Sequence, residues 1–87
     1  MELTPERKRS IRQRLEPHLT ALDPDLHFIE VILDSERRNL GVVVQKEDRP
    51  AMLRLDFIRY VSMPESELRT TLEEQLRAKK LIGNSRR

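Results

Sequence analysis

The side chains with the means to do chemistry in this 87-residue chain are two histidines, a few neighbouring carboxylates and several basic clusters. His18 and His27 fall in different predicted elements, without the His-x-x-x-His spacing or a nearby third ligand that a metal site requires, so no metal and no cofactor is expected. The absence of cysteine excludes thiolate zinc sites and a disulfide framework. The closest carboxylates, Asp23 with Asp25, Glu47 with Asp48 and Glu73 with Glu74, lie in predicted turns or on an exposed helix face, where they meet water and not each other's proton. No Gly-x-Ser-x-Gly elbow and no phosphate-binding glycine loop occurs in a chain that has only 2 glycines. The expectation is a protein that is not an enzyme and has no small-molecule ligand.

The cations suggest phosphate. Arg7, Lys8, Arg9 and Arg12 near the start, with Arg37 and Arg38 in a loop, are the candidate contacts for nucleic acid. Projected on a helix, however, the first run surrounds the apolar stripe on both flanks and forms no single ridge. Arg77, Lys79 and Lys80 close the last helix, where positive charge complements the helix dipole. Residues 1–16 sum to +2, 17–76 to −5 and 77–87 to +5, so a shared footprint needs the two ends of the chain to meet on one face.

The composition, 37% hydrophobic and 37% charged with a net charge of +2, is that of one small folded domain spanning residues 1–87. No apolar stretch exceeds three residues, which leaves no membrane span and no signal-peptide core and makes a cytoplasmic address the expectation.

Thr4-Pro5-Glu6 reads as the cap and first turn of a helix over 4–22, with Ile11, Leu15, Leu19 and Leu22 on its inner stripe. Pro17 is expected to kink it, and His18 to be a semi-buried, hydrogen-bonded imidazole. Residues 27–34, 39–46 and 52–61 read as strands, β-branched or alternating and joined by short polar links. Ser62-Met63-Pro64-Glu65 reads as a capping box before a last helix over 63–82, stopped by Gly83, with 84–87 as a tail. Glu65 with Arg69 and Glu73 with Arg77 are spaced as surface pairs, and Leu81 falls off the inner stripe. The fold class is α+β: helix, three-stranded antiparallel meander, helix, with both helices on one face of the sheet.

Sidedness then fixes a register. Opposing Leu33 to Leu40, Val31 to Val42 and Ile29 to Val44, and then Val44 to Leu53, Val42 to Leu55 and Leu40 to Phe57, gathers nine apolar side chains on one face and gives four-residue loops. The other face carries Phe28, Glu30, Ile32, Gly41, Val43, Arg54, Asp56, Ile58 and Tyr60. Gly41 there reads as a notch for a partner or as a bulge.

The element order is that of double-stranded-RNA-binding domains, but the residues are not. That family opens its last helix with a lysine cluster, where residues 62–67 here carry Glu65 and Glu67, and its first hairpin loop carries Gly-Pro-His, where Asp34 to Asn39 has neither glycine nor proline. The uncovered, half-apolar face is therefore the expected functional surface. It suits a protein partner, most simply a second copy in a homodimer, with nucleic acid at the basic residues as the alternative.

Overall fold

The computed structural model describes residues 3–34 and 36–82; Gly83 and the tail at 84–87 lie outside the described residues. Thr4 caps the first helix, α1 (Pro5–Leu22), by accepting a hydrogen bond from the Arg7 amide. Three antiparallel strands follow, β1 (Leu26–Asp34), β2 (Asn39–Lys46) and β3 (Arg49–Asp56), in that spatial order. A short helix α2 (Phe57–Ser62) and a longer α3 (Glu65–Ala78) complete the fold. Ile11, Leu15 and Leu19 of α1 and Leu68, Leu72 and Leu76 of α3 join Val31, Leu40, Val42, Val44, Leu53 and Leu55 in one buried cluster, so both long helices cover the same face of the sheet.

Pro17 does not interrupt α1, which runs unbroken past it. The proline lies on the solvent side with Gln13, Glu16 and Thr20, where the carbonyl it deprives of a donor reaches water. Only Asp23 to Asp25 link α1 to β1, so the strand turns back along the helix. Arg12 accordingly stands over the Phe28 ring and Lys8 faces Glu30.

Three expectations of register are corrected. The β1–β2 pairing follows Leu33↔Leu40 and Val31↔Val42, but a bulge between Phe28 and Glu30 sets Phe28, not Ile29, opposite Val44. One extra residue inverts the faces beyond it, so Ile29 turns out to 51% exposure and Phe28 packs against the core. The second hairpin has a two-residue loop, Glu47-Asp48, with Glu47 at φ 56° as primed hairpin turns require, which pairs Leu40 with Leu55 and Val42 with Leu53. A shift of two residues preserves the inner face, and Leu53 and Leu55 are buried as expected.

The third correction concerns the end of β3. The strand stops at Asp56, whose carboxylate accepts the amides of Ile58 and Arg59 and starts α2. Ile58 and Tyr60 therefore leave the sheet: Ile58 is exposed on α2, and Tyr60 is buried at 5% exposure in the core. Ser62 ends α2 instead of capping α3, whose cap position is Pro64.

Both sheet edges are blunted. On β3 the Gln75 side chain of α3 accepts from the Arg54 amide and donates to the Arg54 carbonyl, occupying the outward backbone pair. On β1 the bulge bends the edge and the Glu30 carboxylate accepts the Val31 amide at 3.0 Å.

The α3 terminus is a Schellman motif. The Leu81 amide reaches the Leu76 carbonyl and the Lys80 amide that of Arg77, with Lys80 at φ 61° in the left-handed region. The chain reversal explains why Leu81, off the helical stripe, is buried. A lysine there carries a Cβ penalty that glycine avoids, so Lys80→Gly is expected to raise unfolding stability by roughly 0.5–1 kcal/mol in denaturant titration.

Candidate functional site

On the uncovered side of the sheet the register stacks three rows: Glu30–Val43–Met52, Ile32–Gly41–Arg54 and Asp34–Asn39–Asp56. Ile32 at 48% and Met52 at 39% exposure are the large apolar side chains of this face. A groove of about 380 Å³ opens between them, bounded by Asp34, Arg37 and Arg54 and floored by Gly41.

Gly41 is opposite Ile32 and Arg54, not between Ile32 and Asp56, and its φ is not positive. Its role is clearance, because a Cβ there would lie 3.0 Å from the Met52 sulfur. The notch is thus occupied by the thioether of its own neighbour, a side chain that repacks readily.

Of the expected contact residues, Glu30, Ile32, Gly41, Val43 and Arg54 share this face. Asp56 belongs to its last row but is committed to capping α2. Phe28, Ile58 and Tyr60 are elsewhere, for the reasons of bulge and strand end given above. Met52, Asp34 and Asn39 join the groove without having been singled out in the sequence, and Arg37, expected as a phosphate contact, borders it as well. The alternation of Met52 with Leu53 was the available signal, since a buried Leu53 sends its neighbour outward.

Among the described residues the terminal cations fall into two groups. Because β1 runs back along α1, the first turn of that helix, with Arg7, Lys8 and Arg9, lies toward the β1–β2 turn that holds Arg37 and Arg38. Lys79 and Lys80 lie toward the opposite end, where the Lys79 carbonyl meets Arg49 and the Leu81 carbonyl meets Lys46. Arg12 is shared between Glu16 and the Phe28 ring.

The most connected polar cluster lies between the helices. Arg14 of α1 donates to the carbonyls of Tyr60 and Met63 and to Glu65, and its guanidinium stacks 4.6 Å from the Tyr60 ring centroid. His18, 7% exposed, contacts Glu65 at 2.8 Å through Nε2 and accepts from the Arg69 Nε–H through Nδ1. A guanidinium nitrogen can only donate, so the Nε2 of His18 bears the hydrogen and donates to Glu65. Glu65 is therefore drawn to α1 and away from the expected partnership with Arg69. Hydrogen bonds from His18 and Arg14 hold the Glu65 carboxyl below its usual range, while burial pushes the Tyr60 phenol up against the opposing pull of Arg14. At the other end Lys46 donates to Asp23 and lowers its pKa.

Among the described residues no three His, Asp or Glu side chains stand together as metal ligands would, and no helix is long and apolar enough to cross a membrane. Comparison with protein families, with curated proteins and with solved structures gives no match.

Removing the Arg14 guanidinium leaves two carbonyls and a carboxylate short of a donor, so Arg14→Met is expected to cost on the order of 3 kcal/mol in denaturant titration. Arg14→Lys should recover less than half of it, an ammonium lacking the planar fork. Lowered carboxyl pKa values give stability that is complete above the unfolded value near ~4 and is lost as the pH falls through the folded value. The thermal unfolding temperature should accordingly fall below about pH 4, and Glu65→Gln should flatten that acid limb while lowering stability at neutral pH.

Proposed function

We propose that the protein is a non-catalytic interaction module that associates with a second copy of itself through the open face of its sheet. The observation that carries this reading is the combination of two blunted edges with an uncovered face presenting Ile32, Val43 and Met52. Strand addition at an edge is obstructed, which leaves the face as the surface with apolar area to bury.

Charge complementarity favours a copy of the chain as the occupant. A two-fold axis parallel to the strands and above β2 lays β1 of one protomer over β3 of the other. Ile32 then lies beneath the partner's Arg54, whose guanidinium comes near Asp34 on the neighbouring row. The same operation acts in reverse, as an isologous contact requires. Gly41 lies near the axis, and the Met52 thioether that fills the space above it supplies adaptable packing. The lack of cysteine fits a reducing compartment, and a cytoplasmic address is part of this reading.

Light scattering at about 100 μM is expected to give a dimer mass. Met52→Asp and Arg54→Glu should each shift the protein toward monomer, whereas Ile58→Asp, on a helix outside the face, should leave the mass unchanged. A monomeric parent, or a dimer broken by Ile58→Asp alone, would refute the assignment.

A further inference from the structure

A second surface has a different chemistry. Between α1 and the bulged edge of β1 lies a groove of about 210 Å³, formed by Lys8, Arg9 and Arg12 on the helix side and by Phe28, Ile29 and Glu30 on the strand side. Three cations face one carboxylate. That carboxylate is already engaged, Oε1 of Glu30 accepting the Val31 amide with Lys8 3.8 Å away. Lys8 is at the outer limit of an ion pair, whereas Arg12 pairs with Glu16 at 3.2 Å and stands over the Phe28 ring.

Apolar surface sits within this positive rim. The bulge turns Ile29 out of the core, where the alternation of β1 would have placed it, to 51% exposure beside the basic helix. Bulges recur where an edge re-aims a side chain toward a binding surface. An aliphatic side chain ringed by cations matches a peptide in which carboxylates flank an apolar residue, the cations fixing register and the buried side chain supplying most of the affinity.

The geometry points to this α1–β1 groove as a docking site for an acidic peptide segment of another protein, bearing an apolar anchor that seats against Ile29 and the edge of Phe28. Nucleic acid fits the same surface less well. The aromatic face that a base would stack on is covered by the Arg12 guanidinium, and Glu30 stands where a phosphate would pass. Among the described residues, Lys79 and Lys80 lie at the opposite end of the fold, away from this groove.

The test is fluorescence anisotropy at low salt with a short labelled peptide of glutamates interrupted by leucines, beside an all-glutamate peptide of equal length and a labelled single-stranded oligonucleotide. The leucine-containing peptide is expected to bind at least about tenfold more tightly than the all-glutamate one. Ile29→Ser should remove that preference, and Arg9→Glu should weaken binding of both peptides. Both residues are exposed, so neither change disturbs the core, and circular dichroism verifies the fold. No binding up to about 1 mM, equal affinity for the two peptides, or a preference that survives Ile29→Ser would overturn the assignment. Tighter binding of the oligonucleotide that is lost in Arg9→Glu would replace the peptide with nucleic acid. Dimer mass is a separate readout: Ile29→Ser should leave it unchanged, so this groove and the open face can fail independently.

Discussion

The fold depends on one side chain that joins three helices. Arg14 is anchored in α1, yet every hydrogen bond it makes is to the segment from Tyr60 to Glu65. That segment holds the end of α2, whose last carbonyls lack a continuing helix to donate to them, and the start of α3. A planar, permanently charged donor group suits this place, because it satisfies two carbonyls and a carboxylate from one stem while its flat surface covers the Tyr60 ring. With the α2–α3 junction held, the Leu68, Leu72 and Leu76 ridge has one orientation in which to meet the sheet. His18, fully engaged by Glu65 and Arg69, repeats the same link one turn along α1.

The asymmetry of the sheet follows. With both long helices on one side, no element among the described residues covers the other, and the side chains there mix apolar and charged groups. Apolar Ile32 and Met52 alternate with acids and an arginine, a mixture close to that of protein contact surfaces. At each edge one residue has outward backbone groups engaged by a side chain, Arg54 by Gln75 on β3 and the Val31 amide by Glu30 on β1.

Much of the architecture was legible in the sequence, and what was hidden had specific causes. The cap at Thr4, the stripe of Ile11, Leu15 and Leu19, the buried imidazole of His18 and the inner faces of β2 and β3 follow from spacing and residue type. The β2–β3 pairing was displaced by two residues without harm, because an even shift returns every side chain to its own face. The bulge at Phe28 was invisible, since His27 to Asp34 is rich in strand-forming residues at most positions and gives no clean alternation to read. The end of β3 had a visible signal that was outweighed. Phe57 continues the pattern of Leu53 and Leu55, but the Asp56 before it is a favoured helix cap, and local capping prevailed over hydrophobic alternation. That one residue removed Ile58 and Tyr60 from the candidate surface. Glu65 likewise has the sequence position of a capping-box acid, and only a long-range partner, Arg14, shows why it serves α1 instead.

The pairing of Gln75 with Arg54 has a consequence for the order of synthesis. The three strands leave the ribosome before α3 does, so any sheet that forms ahead of that helix has its last strand bare and its backbone available to any passing chain. The amide that closes it is more than twenty residues downstream and arrives only when the helix has folded down. A nascent or truncated chain lacking the last helix would therefore be sticky where the finished protein is inert, and a chaperone contact would matter most during that interval.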